Sequence, residues 1–82
     1  MTAEEFNKKY QSYLKEGHYG LSIDLPELTK ELDTLFQEFI QHEGFSYSQI
    51  KLKFGYGRFY CEGLSDKLVE KTENMITQFC NK

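Results

Sequence analysis

The fold of this chain is decided by one stretch, Gln49-Ile50-Lys51-Leu52-Lys53-Phe54-Gly55-Tyr56-Gly57-Arg58-Phe59-Tyr60-Cys61. Apolar and polar side chains alternate on both sides of its two glycines. Such alternation is typical of β-strands with one buried face, and glycines between two such runs indicate a tight turn. The stretch therefore predicts a β-hairpin over residues 48–62.

Matching polarity between the two strands predicts the register of this hairpin. A type II′ turn needs glycine at its first corner, which suits a turn formed by Gly55 and Tyr56. In that register Lys53 lies opposite Arg58, and the other pairs also match in polarity. A four-residue loop gives the same register, whereas a three-residue loop would mix the faces. The side chains predicted to face the core are Ile50, Leu52, Phe59 and Cys61.

Three amphipathic segments predict helices around the hairpin. The predicted helices and their N-caps are residues 2–16 with Thr2, residues 25–42 with Asp24, and residues 65–80 with Ser65. Residues 19–23 alternate as a short strand does, although an extended lead-in to the next helix fits nearly as well. The order predicts one α+β domain over residues 1–82, with three helices packed on a small antiparallel sheet.

Composition narrows the classes of function. A net charge of −3 over 82 residues weighs against a protein that coats nucleic acid, since such proteins are usually basic. The chain starts with an acidic segment rather than a signal peptide, and no apolar run approaches the about 20 residues that cross a bilayer. We therefore expect a cytoplasmic protein with no membrane partner.

Signatures of catalysis and of metal binding are weak in this sequence. Cys61 and Cys80 have neither zinc-type nor redox-type spacing, and we expect two reduced thiols. A zinc site built from them with His18 and His42 would need four separate elements. No serine, cysteine or threonine lies in a nucleophile motif. The sequence predicts no enzymatic activity, no catalytic residue, no metal and no cofactor.

The hairpin supplies the main candidate binding residues. The face opposite its predicted core side gathers Lys51, Lys53, Arg58 and Tyr60, and Tyr56 lies at the tip. Like charges directly opposite each other are mildly destabilising, which an anion or an acidic partner surface would offset. A solvated strand edge protected by lysine is the alternative.

The first helix supplies a second candidate surface. Phe6, Tyr10 and Tyr13 fall on one helical face. These aromatic side chains either belong to the core or form a face for a homodimer or another partner, because tyrosine suits interfaces that are partly wet.

Residues 49–60 resemble a motif of small uncharacterised phage and bacterial proteins that reads Q-I-K-x-K-F-G-x-x-R-F-Y, between two helices. Lys51, Lys53, Gly55, Arg58 and Tyr60 match that pattern. Many of those proteins also carry a Cys-x-x-Cys segment that has no counterpart here, so no metal-linked role is implied. The resemblance implies a small accessory protein of phage or mobile-element origin.

These observations lead to one main hypothesis and two alternatives. The main hypothesis is a non-enzymatic protein-binding module, such as a phage-encoded inhibitor of a bacterial defence component, for example a CRISPR effector, acting in the host cytoplasm. The first alternative is a module that binds a nucleotide, nucleic acid or another anion through the basic hairpin face. The second is a homodimeric structural or regulatory protein.

Overall fold

The computed structural model describes residues 1–81 and places three α-helices on one side of a three-stranded sheet. In chain order the elements are α1 (Ala3–Lys9), a short 3₁₀ turn (Gln11–Tyr13), β1 (Gly20–Leu21), α2 (Pro26–Phe39), β2 (Ser46–Lys53), β3 (Tyr56–Glu62) and α3 (Asp66–Cys80). The predicted α+β class with three helices and a hairpin is confirmed. The range 19–23 does contain a strand, limited to the two residues of β1.

The sheet is mixed, so the predicted all-antiparallel arrangement is wrong. Its strand order is β1-β2-β3, and β2 pairs with β3 in the antiparallel sense. β1 runs parallel to β2, with Gly20 beside Gln49 and Leu21 beside Ile50. The physical reason is the connection between them, because the α2 crossover returns the chain to the sheet in the same direction.

The hairpin turn lies one residue earlier than predicted. Its corners are Phe54 and Gly55, with φ of 54° and 81°, and Lys53 pairs with Tyr56. Positive φ at both corners is the mark of a type I′ turn, not of the predicted type II′ turn. Arg58 consequently lies opposite Lys51 rather than Lys53. Moving the turn by one residue changes each cross-strand partner by two residues, and this keeps every side chain on its predicted face.

Close packing explains why Gly57 belongs to β3 and not to the turn. A Cβ atom at this position would lie 2.6 Å from the backbone oxygen of Glu73 and 2.7 Å from Cβ of Ile76. Only glycine lets α3 approach the strand so closely. Leu52 lies opposite Gly57 near the open end of the sheet and is 40% exposed, so its predicted place in the core is wrong.

A bulge changes the other end of the hairpin. The earlier turn alone would pair Cys61 with Ser48 instead of the predicted Ile50, and the further register shift between Tyr47 and Gln49 pairs it with Tyr47. An extra residue on one strand bends it and increases its twist. Ile50 instead pairs with Phe59, and both side chains are buried against the helices.

The first helix ends at Lys9, earlier than predicted, and Tyr10 at its C-terminal end bonds to α2. The Tyr10 hydroxyl donates to the Asp33 carboxylate and accepts a hydrogen bond of 2.6 Å from Gln37 Nε2. Beyond it the chain turns to the sheet, where Lys15 N donates to Tyr47 O at 2.9 Å. Contacts between distant residues therefore override the helical pattern of residues 11–16.

Two of the three predicted N-caps are confirmed. Thr2 forms a capping box with Glu5, and Ser65 accepts a hydrogen bond from Leu68 N. The predicted cap of α2 is wrong, because Leu25 occupies that position without a side-chain hydrogen bond. The Asp24 carboxylate instead accepts a hydrogen bond of 3.0 Å from Ala3 N, which ties the start of α1 to this loop.

The core is an aromatic cluster between the sheet and the helices. The Phe36 ring lies at its centre, and its centroid is 4.8 Å from that of the Phe6 ring and 5.0 Å from that of the Tyr47 ring. Edge-to-face contacts of this kind add stability beyond the buried area. The other buried hydrophobic residues are Tyr10, Leu21, Leu28, Leu32, Phe39, Phe45, Ile50, Phe59 and Ile76.

Helix α3 closes the outer edge of β3. Gly57 N donates to Thr77 Oγ1 at 2.7 Å, and Phe59 N donates to Glu73 Oε2 at 2.9 Å. These backbone groups would otherwise invite another strand to pair with the edge. Within residues 1–81, no helix has both the length and the apolar character that crossing a membrane requires.

Candidate functional site

The side of the sheet that faces away from the helices carries the predicted basic residues. We call it the hairpin face, and it consists of three cross-strand pairs: Gln49 with Tyr60, Lys51 with Arg58, and Lys53 with Tyr56. Lys53, Tyr56 and Tyr60 are exposed, and the other three side chains are half-buried. The structure thus brings the five predicted hairpin residues together on one open surface.

Local sequence explains this arrangement. Successive side chains of a strand point to opposite faces, so burial of Ile50 and Phe59 under the helices turns their neighbours Lys51 and Arg58 outward. The packing of α3 on Gly57 fixes the hairpin in the same orientation. The hairpin face is therefore built on two strands that pack directly against the core and α3.

The hairpin face is locally positive although the whole chain is acidic. Residues 44–61 contain three cations and neither aspartate nor glutamate. Within the described residues 1–81, the ion pairs join Lys9 to Asp33 and Lys15 to Glu62, and none involves Lys51, Lys53 or Arg58. The positive charge of this surface is therefore not paired with a carboxylate within residues 1–81.

Two contacts shape the electrostatics of the central pair. Lys51 lies directly opposite Arg58, so two like charges face each other across the hairpin. Lys51 Nζ also lies 5.6 Å from the centre of the Tyr60 ring, a distance typical of a cation–π contact. The ring holds the ammonium group over the sheet but does not neutralise it.

A shallow depression lies at one end of the hairpin face. Its volume is about 430 Å³, and its lining residues are His18, Ser48, Gln49, Lys51 and Tyr60. Small-molecule sites are usually concave and enclose most of their ligand. The open shape of this depression suits contact with a larger surface better than enclosure of a small molecule.

The tip of the hairpin contains an exposed residue that the sequence did not single out. Phe54 is 89% exposed, and Tyr56 beside it is 61% exposed. The prediction placed Tyr56 in the turn and took Phe54 as the last residue of a strand. The Phe54-Gly55 pair is the signal that was missed, because its second residue accepts the positive φ of a type I′ corner.

The aromatic residues of the first helix lie elsewhere. Phe6 and Tyr10 are buried in the core of this chain, and Tyr13 is half-buried against Phe45. Of the two alternatives for these residues, the structure places Phe6 and Tyr10 in the core. They do not adjoin the hairpin face, so the two groups of candidate residues do not form one site.

Both cysteines are free thiols with low reactivity. Burial, with smaller contributions from the nearby Glu73 and Glu62 carboxylates, raises the pKa of Cys61 to about 11. Burial also raises the pKa of Cys80. A thiol reacts as its thiolate, so neither side chain has the depressed pKa of an activated nucleophile. Among residues 1–81, no group of three or more His, Cys, Asp or Glu side chains is arranged to hold a metal ion.

Comparison with protein-family models, with curated proteins and with solved structures finds no match to this chain. The geometry and charge of the hairpin face are therefore the basis for inferring a function.

Proposed function

We propose that this chain is a non-enzymatic binding protein that docks the hairpin face onto an acidic surface of a protein partner. One observation carries the proposal: Lys51, Lys53 and Arg58 share an open face with Tyr56 and Tyr60, and no carboxylate of residues 44–61 balances them. Tyrosine and arginine are enriched in protein interfaces, where they combine apolar area with hydrogen bonding.

Charge favours a protein partner over nucleic acid. Three cations can neutralise only a few phosphates, and the whole chain, these cations included, has a net charge of −3. A nucleic acid strand extends as a continuous polyanion, and it would run beyond the hairpin face along a chain that is acidic overall. A protein needs to present only a local acidic patch, which matches the size of the hairpin face.

The proposed role is inhibition by occupancy. The resemblance of residues 49–60 to small phage and bacterial proteins suggests a phage-encoded protein acting in the host cytoplasm. A bacterial defence component, such as a CRISPR effector, is the proposed class of target. Binding alone can block such a component, so this role requires no catalytic residue.

The test is affinity capture from a bacterial lysate with three tagged proteins. The first is the wild type, and the second carries Lys51→Glu, Lys53→Glu and Arg58→Glu. The third is a matched control with Lys8→Glu, Lys30→Glu and Lys71→Glu, which changes three exposed helix lysines and the net charge by the same amount. Each captured protein is then purified, and its affinity is measured at increasing salt.

We expect one protein to bind the wild type and the helix control but not the hairpin variant. The affinity of the purified pair should fall with salt, because salt screens surface charge. Equal binding by all three proteins would refute the proposal. Loss of a nucleic acid from the hairpin variant, with no protein captured, would refute it in favour of a nucleic-acid ligand.

A nucleotide or similar anion is a second candidate, because the positively charged Lys51 lines the depression, whose open shape would enclose such a ligand only in part. His18, Gln49 and Tyr60 could supply hydrogen bonds and a ring contact there. A ligand that binds only the folded state raises the melting temperature by mass action. A panel of nucleotides that leaves the melting temperature of the wild type unchanged would exclude this candidate.

A homodimer is the remaining alternative. Because Phe6 and Tyr10 are buried in their own chain, a dimer would need a surface other than the predicted aromatic face of the first helix. Sedimentation of the purified protein at high concentration tests it, and a clean monomer would exclude it.

A further inference from the structure

We infer that Phe54, at the tip of the hairpin, is an anchor residue that inserts into an apolar pocket beside the acidic patch of the protein partner. This inference rests on the proposed function and names the contact that adds apolar binding energy to the charged hairpin face.

The backbone of Phe54 is in a conformation that phenylalanine rarely adopts. Its φ is 54°, in the left-handed region, and it is the one non-glycine residue of residues 1–81 found there. Asparagine, aspartate or glycine is the usual residue at this corner of a type I′ turn. Strain of this kind is commonly kept at functional sites, where the surrounding structure maintains it.

Packing within the chain does not explain why position 54 carries a large apolar side chain. Phe54 is 89% exposed, which is the largest exposure among the large hydrophobic residues described in residues 1–81. Leaving an aromatic ring in water gives up the free energy that its burial would contribute. The position thus combines backbone strain with solvent exposure, and neither favours folding.

The tip is nevertheless held in place. Asn81 Nδ2 donates to Gly55 O at 2.9 Å, which ties the turn to the end of α3. On the adjoining strand, Gly57 N donates to Thr77 Oγ1 at 2.7 Å. An exposed aromatic residue on a fixed backbone loses little conformational entropy when it binds, which is the property of a preorganised anchor.

The surroundings of Phe54 indicate the chemistry of the pocket. Lys53 precedes it, and Tyr56 lies opposite Lys53 across the turn. The matching surface is therefore an apolar pocket bordered by carboxylates. The single Phe54 ring offers much less apolar area than the faces by which proteins insert into the membrane interface, so a protein pocket is favoured over a lipid surface.

The test places the photo-crosslinking residue benzoylphenylalanine at position 54 of the full chain, with Gln78, an exposed residue of α3, as the control position. Each protein is irradiated in bacterial lysate, and the products are identified by mass spectrometry. We expect a product at position 54, absent at position 78, that joins a protein segment containing both apolar and acidic residues. Phospholipid or nucleic acid in the product, or no product beyond that of position 78, would overturn the inference.

Competition with unlabelled variants then measures the role of the ring. Phe54→Leu keeps an apolar side chain and should compete with this crosslink almost as well as the wild type. Phe54→Gly should compete about tenfold less well or worse, as expected when an anchoring aromatic side chain is removed. Competition by Phe54→Gly equal to that of the wild type would overturn the inference.

Thermal unfolding separates binding from folding. Phe54→Gly should melt close to or above the wild-type temperature, because glycine adopts positive φ without a steric cost and this offsets its greater entropy in the unfolded chain. A fall larger than that entropy explains would show that the ring stabilises the fold, against the inference. If Phe54→Gly competes normally but the Lys51, Lys53 and Arg58 charge-reversal variant does not, the anchor fails while the proposed function stands. If both compete normally, both fail.

Discussion

Asn7 and Leu21 form two hydrogen bonds in opposite directions. Asn7 Nδ2 donates to Leu21 O at 2.9 Å, and Leu21 N donates to Asn7 Oδ1 at 2.8 Å. The side-chain amide thus satisfies the outer edge of β1 as a neighbouring strand would. Its oxygen also accepts a hydrogen bond of 3.1 Å from the Tyr47 hydroxyl, which connects this edge to the core.

The substitution Asn7→Asp should destabilise the fold. A carboxylate can still accept from Leu21 N, but it cannot donate to Leu21 O, which loses its partner. We expect the free energy of unfolding in urea to fall by about 1–3 kcal/mol, the cost of an unsatisfied buried polar group. Asn74→Asp, on the exposed side of α3, is the control and should change stability little. Equal effects at the two positions would contradict the role of Asn7.

The substitution Gly57→Ala should also destabilise, because the added methyl group has no space. It would lie 2.6 Å from Glu73 O and 2.7 Å from Cβ of Ile76. We expect a loss of about 1–3 kcal/mol in the free energy of unfolding, as for other overpacked sites. Gly17→Ala is the comparison for backbone strain without a steric clash, because Gly17 has a φ of 81° and no atom lies within 4 Å of the added methyl group. A Gly57→Ala protein with wild-type stability would show that α3 can move away from β3.

Alkaline pH should destabilise this protein. Burial raises the pKa of both Tyr10 and Tyr47, and it raises the pKa of Cys61 to about 11. The unfolded chain then loses protons before the folded one, so stability is fully present below the unfolded pKa and declines as pH rises above it. The decline should begin near pH about 8.5 with the cysteine and steepen near pH about 10 with the tyrosines.

Urea unfolding over a pH series measures this decline. Each group can contribute up to about 1.4 kcal/mol per pH unit within its window. Tyr47→Phe should be less stable at neutral pH, because it loses the hydrogen bond to Asn7, yet its stability should fall less steeply above pH about 10. Parallel curves for the two proteins would show that Tyr47 ionises normally in the folded state.

The substitution Arg58→Glu should slightly stabilise the free protein. It gives Lys51 an opposite charge across the hairpin in place of a like charge, and it leaves the contact between Lys51 and Tyr60 intact. We expect a gain of about 0.2–1 kcal/mol in low salt, lost in high salt. Lys30→Glu is the control for net charge. A destabilised Arg58→Glu protein would indicate that Arg58 stabilises the fold and is not simply available to bind a partner.

Local pattern was enough to predict the parts of the fold that depend on neighbouring residues. The alternation around Lys51 and Arg58 predicted which side chains share a face, and this survived a register error of two residues because the strand period is also two. The caps at Thr2 and Ser65 were predictable for the same reason, since a cap involves residues only three positions apart.

The remaining features depend on residues that are far apart in the chain. The turn falls at Phe54 and Gly55, which leaves Gly57 in β3, where it packs against α3. The alternation within the hairpin carries no information about that helix. The first helix ends at Lys9, and Tyr10 at its C-terminal end bonds to α2. The anchor hypothesis for Phe54 could arise only once the turn was placed correctly.

The sequence by itself determined three helices, one hairpin and which residues share the hairpin face, because periodicity and capping are local properties. Only the tertiary structure decided the direction of β1, the position of the turn and the exposure of Phe54. These depend on which distant surfaces meet and how closely they pack, and periodicity holds no information about such contacts.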